Sequence, residues 1–147
     1  MKFVIQRVSS ASVIIDNTIY SKIESGLLLF IGIEKGDNNS KLDYYVRKII
    51  NMRIFNDQNL KMNNSLLDIN GSILVVSQFT LLANTKKGNR PSYINAEDPE
   101  LAYKLYNEFI QNLKNYDINV KKGRFGAHMQ LSFINDGPVT IILSDEE

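Results

Sequence analysis

Cysteine is absent from this 147-residue chain, so disulfides, zinc–thiolate sites and a thiol nucleophile are all excluded. That absence fits a reducing compartment. The longest apolar stretch, residues 27–33 with Gly32 inside it, falls far short of the roughly 20 residues that a bilayer-spanning helix needs. No membrane span is expected. The N-terminus opens on strand-like Phe3-Val4-Ile5-Gln6-Arg7-Val8, without the charged-then-apolar layout of a secretion signal, which predicts a cytoplasmic protein. Charge of one sign is scarce too. A formal net charge of +1 argues against a protein that coats polyanions wholesale, while leaving room for local basic patches. Two such patches are present, Thr85-Lys86-Lys87-Gly88-Asn89-Arg90 and Lys121-Lys122-Gly123-Arg124.

Standard catalytic equipment is also missing. The single histidine, His128, has no cysteine partner and no metal-ligand spacing around it, and reads as a loop or strand residue of no catalytic consequence. The carboxylates have ready structural uses: Asp16 and Asp37 in turns, Asp98 at a helix cap, Asp43 and Glu108 on solvent faces. No carboxylate pair suited to acid/base chemistry stands out. Neither a Walker loop nor a dinucleotide glycine fingerprint occurs, so no cofactor and no metal is expected. An enzyme built on this chain would work with hydroxyls, amides and backbone groups.

What is present is a succession of short strands with two helices. At this length one domain spanning 1–147 is the simplest division, large enough to bury roughly 68–70% of its unfolded surface. Strands are expected over 3–8, 12–16 and 19–23, the last two forming a hairpin around Asn17-Thr18. Residues 27–33 are apolar throughout and read as a strand covered on both faces. Ser40 is placed to cap a helix reaching Met52, with Leu42, Tyr45, Val46, Ile49 and Ile50 on one face. Further short strands are predicted at 53–55 and 65–68, and the longest at 72–82. Asp98-Pro99 supplies a cap and a proline at the first helical position of a second helix, whose stripe is Leu101, Ala102, Leu105, Tyr106, Phe109 and Leu113. Strands at 118–122, 129–134 and 139–143 complete an α+β fold, with a mostly antiparallel or mixed, barrel-like sheet and two main helices.

Two stretches carry the functional signal. Ser77-Gln78-Phe79-Thr80-Leu81 ends an apolar strand; in extended backbone Ser77 and Phe79 would point to one face and Gln78 and Thr80 to the other. Thr80 is the side chain for which nucleophilic attack would be considered, yet no activating base is adjacent. Asn135-Asp136-Gly137-Pro138-Val139-Thr140 places a Gly-Pro turn between two strand-like runs, where the backbone itself is able to serve as a recognition surface. Each motif alone is weak.

As a pair they are not. Together with Ile5-Gln6-Arg7-Val8, Ala11-Ser12-Val13, Gly26-Leu27-Leu28, Arg53-Ile54-Phe55, Gly88-Asn89-Arg90-Pro91-Ser92 and Gly123-Arg124-Phe125-Gly126 with Met129, they make the chain resemble the D-aminoacyl-tRNA deacylases, the D-tyrosyl-tRNA deacylase family, along nearly its whole length. The resemblance implies an editing hydrolase that frees D-amino acids, and glycine misattached to alanine tRNA, from the 3′ acceptor end. It implies a homodimer with sites at the interface, in which a cis Gly137-Pro138 peptide enters the partner's pocket and leaves no space for an L side chain. Ser77, Gln78, Phe79 and Thr80 would surround the ester, with backbone amides at its oxyanion and the substrate's own ribose 2′-hydroxyl assisting. Arg7 would help to lock the inserted loop. Lys86, Lys87, Arg90, Lys122 and Arg124 become candidates for tRNA phosphates, beside the plainer reading of solvated loop charges.

Three alternatives stay open. A paralogous animal-type editor keeps both motifs but carries the Gly-Pro peptide trans and admits an L-amino acid. Some relatives have been linked to DNA at replication origins; such a role is expected to come with a basic tail, whereas this sequence closes on Ser144-Asp145-Glu146-Glu147. The third is a generic small esterase that uses Thr80.

Overall fold

Residues 1–145 are described by the computed structural model; Glu146 and Glu147, half of the acidic close, lie outside the described residues. Strand β1 (Lys2–Ile15) forms a hairpin with β2 (Thr18–Ile23). Its turn centres on Asp16 and Asn17, both at positive φ (49° and 60°), the backbone that a two-residue hairpin of matching twist demands. Strand β3 (Gly26–Gly32) follows. A 3-10 turn (Asn39–Lys41) leads into α1 (Leu42–Ile50), then a small hairpin of β4 (Phe55–Asn56) and β5 (Met62–Asn64). Next come β6 (Ser72–Ser77), a 3-10 turn (Phe79–Leu82), α2 (Pro99–Leu113), β7 (Asn119–Lys122) and β8 (Gln130–Ser144).

The main sheet runs β2-β1-β3-β6-β7, with β8 on the other edge of β1. It is mixed, because β3–β6 and β6–β7 are parallel and the remaining pairs antiparallel. β2 curls back toward β7, where the Ser21 hydroxyl donates to the Lys122 carbonyl at 2.9 Å, so the sheet is barrel-like and nearly closed.

Two cores occupy its two faces. Phe3, Ile5, Leu29, Ile31, Ile73 and Val75 face the helices, and the Phe3 ring lies 4.8 Å from Tyr45 of α1 and 5.6 Å from Phe109 of α2. Val8, Ala11, Val13, Leu28, Leu74 and Val76 fill the sheet's concave side. β3 is therefore buried on both faces, as its unbroken apolar run requires. β1 changes core partway along: register shifts around Val8 flip its buried positions from odd residues up to Arg7 to Val8 and then Ala11, Val13 and Ile15.

Both helices follow their apolar stripes, with local differences. Asn38, not Ser40, provides the first cap, its side chain accepting from the Ser40 amide at 3.0 Å, and the α-helix starts at Leu42. Asp98 caps α2 through the Glu100 amide at 3.0 Å, with Pro99 in the first turn. Leu101 does not belong to the buried stripe; it points outward, and Ile110 is buried in addition. Residues 65–68 form no strand. Asp68 accepts from both the amide and the hydroxyl of Ser65 at 2.7 Å, a local closure that competes with sheet pairing. The strand expected over 72–82 stops at Ser77, and the runs at 129–134 and 139–143 belong to one continuous β8.

Candidate active site

The early end of β6 creates the site. β3, its neighbour on one side, reaches its last residue at Gly32, and the final rung is the Gln78 amide donating to the Ile31 carbonyl at 2.8 Å. β7 stops on the other side, where the Gly123 amide donates to Val75 at 2.9 Å. Without neighbours the backbone coils into the 3-10 turn, and Gly32 lets that turn settle over β3: a Cβ there would stand 3.1 Å from both the Gln78 oxygen and Leu81.

A cavity of about 600 Å³ opens at this point. Ser77, Gln78 and Phe79 line one wall together, so the strand alternation expected of them does not hold beyond Ser77. Thr80 lies outside that lining, exposed, its hydroxyl accepting from the Gln78 side-chain amide. Gln78's own backbone N–H is spent on Ile31; the amides of Phe79 and Thr80 open the 3-10 turn, where no earlier turn supplies a carbonyl.

The other walls come from segments to which the sequence alone assigned no site role, although Phe125, Gly126 and Met129 belong to a motif of the family resemblance. Phe125, Gly126, Ala127, His128 and Met129 form one of them, which brings His128 to the cavity as an exposed wall residue. Phe125 is held by rings of α2, Tyr103 at 5.2 Å and Tyr106 at 5.7 Å. Tyr106 is fully buried; its hydroxyl donates to Val75 at 2.9 Å and sits 3.4 Å from the Gly123 carbonyl, so one side chain pins the two strand ends flanking the cavity. Burial pushes that phenol far above its ordinary range. Gly123 lets Met129 pack close, since a Cβ would lie 2.8 Å from the Met129 sulfur and push that side chain aside. Tyr93 and Glu97 close a third side, Tyr93 edge-on to Phe79 with ring centres 5.1 Å apart. Both Glu97 oxygens already accept backbone amides, from Gly36 at 3.1 Å and Asp98 at 2.8 Å. A carboxylate so engaged is a scaffold for the wall.

Gly137 and Pro138 do not line the cavity of their own subunit. Asn135 pairs with Val8 and Thr140 with Gln6, so the four residues 136–139 stand opposite Arg7 alone as a bulge in which Asp136, Gly137 and Pro138 are exposed, Val139 returns to the core, and the Gly137–Pro138 peptide is cis. This bulge replaces the simple turn expected between two strands. Arg7, only 6% exposed, anchors it: Nε donates to the Asp136 carbonyl at 2.9 Å and pairs with its carboxylate at 3.2 Å, while Nη1 donates to the Ile54 carbonyl at 2.7 Å. The Asn135 amide brackets the other side, donating to Arg7 at 3.0 Å and Val139 at 3.1 Å.

The basic candidates divide. Lys86, Lys87 and Arg90 lie in an exposed loop, closed at its base by reciprocal Asn84–Ser92 backbone bonds of 2.8 and 3.0 Å that lead directly to Tyr93. Arg124 is exposed next to Phe125. Lys122 turns to α2 and reaches Asn107 at 3.4 Å, away from the cavity lining. Among the described residues no group of His, Asp and Glu could hold a metal ion, and no helix is long and apolar enough to cross a membrane.

Comparison with known proteins places this geometry. Residues 4–144 match the family described as D-Tyr-tRNA(Tyr) deacylase. The chain belongs to that family. It is similar to the D-aminoacyl-tRNA deacylase of Thermosipho africanus (strain TCF52B), 52% identical over 147 residues with 100% of this chain and 99% of the relative covered. The D-aminoacyl-tRNA deacylase of Flavobacterium psychrophilum (strain ATCC 49511 / DSM 21280 / CIP 103535 / JIP02/86) is 56% identical, with 99% of this chain and 98% of the relative covered. Among solved structures, one titled c-Myc DNA Unwinding Element Binding Protein superposes with a TM-score of 0.92 at 42% identity, covering 99% of each chain. A probable eukaryotic D-amino acid tRNA deacylase superposes at 0.84 over 97% of each chain and, at 17% identity, shows the fold alone. As a member of the deacylase family the chain is a hydrolase acting on D-aminoacyl-tRNA.

Proposed function

We propose that this deacylase selects D-aminoacyl esters by steric exclusion across a homodimer. The observation that carries the reading is the separation of the two motifs: a cavity at the end of β6, and a rigidly anchored Gly137–Pro138 bulge that is exposed and lines no cavity of its own subunit. In a two-fold dimer each bulge would enter the partner's cavity, since such an interface is self-complementary. Arg7 and Asn135 occupy the Asp136 and Val139 carbonyls, which leaves those of Gly137 and Pro138 to face the substrate's ammonium group. An L side chain would then meet backbone, whereas a D side chain points away and glycine enters freely, including glycine mischarged on alanine tRNA.

The ester would lie against Ser77, Gln78 and Phe79, its developing oxyanion facing the Phe79 and Thr80 amides; one such donor is typically worth about 2.7–4 kcal/mol. Ser77, Gln78, Phe79 and Thr80 act by position, and the general base is replaced by the ribose 2′-hydroxyl of the terminal adenosine. Lys86, Lys87, Arg90 and Arg124 border the cavity loops and would take phosphates of the acceptor end, with Lys122 behind them.

The deciding experiment is deacylation of matched D-tyrosyl-tRNA and L-tyrosyl-tRNA, with L-alanyl-tRNA as a third substrate. Release from the D ester with both L esters spared is expected; cleavage of L-alanyl-tRNA overturns chiral exclusion. A tRNA ending in 2′-deoxyadenosine should react about 10²-fold or more slowly if the 2′-hydroxyl assists. The relative titled as a DNA unwinding element binding protein suggests a second reading, duplex DNA binding, which the same preparation tests by titration with labelled duplex.

A further inference from the structure

We propose that the groove at the C-terminal end of α1 is a second phosphate-binding surface for the tRNA acceptor stem, on the side of the molecule that carries the Gly137–Pro138 bulge; this rests on the tRNA reading above. The groove has a volume of about 500 Å³ and is walled by Tyr44, Arg47, Lys48, Asn51, Met52 and Arg53. Three cations and no carboxylate line it. Asp43 stands just behind, pairing with Arg47 at 3.1 Å, but both side chains are about 60% exposed, so water and salt screen that pair. Lys48 is exposed and has no ion-pair partner among the described residues.

A plainer use exists for two of these charges. Arg47 and Lys48 sit in the last turn of α1, where cations complement the helix dipole. That does not account for Arg53, which follows the helix. Its Nε donates to the Asn63 carbonyl at 2.9 Å and its Nη2 to the Asn63 side-chain oxygen, neutral partners that orient the guanidinium, while the Asp68 carboxylate feels its charge without a direct ion pair. An arginine held in place by Asn63 and in no direct ion pair among the described residues, beside an exposed lysine and an exposed tyrosine ring, suits a sugar–phosphate backbone.

The place in the fold ties this surface to the site. Arg53 precedes Ile54, whose carbonyl takes Nη1 of Arg7 at 2.7 Å, and the same guanidinium holds the Asp136 carbonyl at 2.9 Å. Two hydrogen bonds thus join the groove's edge to the bulge. In the proposed dimer, an acceptor stem with its 3′ end in one subunit's cavity meets this groove on the subunit that supplies the bulge, opposite the loop of Lys86, Lys87 and Arg90.

The test is binding of a fluorescent, uncharged acceptor-stem minihelix by anisotropy, between about 50 and 200 mM salt. Arg47→Ala with Lys48→Ala should raise Kd roughly tenfold and lower the slope of log Kd against log salt by about two. Its turnover of D-tyrosyl-adenosine, which has no stem, should match the unaltered enzyme. Lys104→Ala with Lys114→Ala removes the same charge from α2 and its C-cap and should leave the slope alone. Unchanged binding in the groove variant, or an equal loss in the α2 variant, overturns the proposal. Should the groove variant melt early, Lys48→Ala alone decides, with a slope change of about one expected. The minihelix measurement involves no ester, so failure of the groove is distinguishable from failure of the deacylation reading, which would appear as intact D-tyrosyl-tRNA with the unaltered enzyme.

Discussion

Arg7 concentrates more structural consequence than any other polar residue of the chain. It is buried, opposes a four-residue bulge alone, and supplies hydrogen bonds to two separate carbonyls, at Asp136 and Ile54. Arg7→Ala would leave the buried Ile54 carbonyl unanswered and hand the Asp136 carbonyl, on the exposed bulge, to water. Charged hydrogen bonds of this kind are each worth about 1.5–3 kcal/mol, so a loss of about 2–4 kcal/mol is expected, readable as a Tm drop of roughly 5–15 °C. Gly137 behaves in the opposite way. A Cβ there would lie 3.4 Å from the Asn135 side-chain oxygen, ordinary contact distance, on an exposed bulge. Gly137→Ala should therefore melt like the parent, while D-tyrosyl-tRNA deacylation falls about tenfold or more, because the added methyl meets the substrate or partner and not its own chain. A variant that loses Tm and activity together would contradict that assignment.

At the scale of elements, the decisive feature is the joint ending of β6 and β7, fastened by α2 through Tyr106. Tyr106→Phe keeps the ring against Phe125 and removes only the hydroxyl. The Val75 carbonyl still accepts from Gly123, so the stability cost should be about 1 kcal/mol by urea denaturation. The functional effect should be larger in KM than in kcat, because the walls at 77–79 and 123–129 drift relative to each other. Equal KM values in the two enzymes would show that the hydroxyl serves stability alone. The helices themselves were legible: Leu42, Tyr45, Val46, Ile49 and Ile50 recur at helical spacing, and Asp98-Pro99 announces the start of α2. The end of β6 was not legible. Residues 72–82 look like one strand, and only the loss of neighbours on both sides turns the chain at Ser77.

For the whole molecule, the described ends of the chain are held together by charge. Asp145 accepts from Lys41 at 2.8 Å, from the Tyr45 hydroxyl and from the Met1 ammonium group at 3.1 Å, and Met1 also reaches Asp37 at 2.8 Å. Burial alone would raise the Asp145 pKa, but these donors outweigh it and hold the carboxyl well below the usual carboxylate range. A depressed carboxylate stabilises the fold fully above its unfolded pKa, near 4, and ceases to do so as pH falls through the lower folded value. Tm should accordingly decline with acidification below about pH 4. Asp145→Asn should lower Tm at neutral pH and flatten that decline; an unchanged acid limb would remove this cluster from the account.

The sequence by itself determined what depends on neighbours along the chain: two amphipathic helices, a hairpin whose turn lies at Asp16-Asn17, one residue before the expected Asn17-Thr18, a strand apolar enough to be covered twice, and two motifs whose company marks the family. Periodicity and turn chemistry are local, so one dimension suffices to read them. Tertiary structure alone decided where the motifs are placed. Register against β1 leaves Asp136, Gly137 and Pro138 exposed in a bulge, and the missing neighbours of β6 bring Ser77, Gln78 and Phe79 to one wall. Another wall is built from Phe125, Gly126, Ala127, His128 and Met129, of which the sequence showed Phe125, Gly126 and Met129 as a family motif without showing that two strand ends and a buried tyrosine hold them at the cavity. No spacing rule reports such placements, because they arise from pairings between residues far apart in the chain.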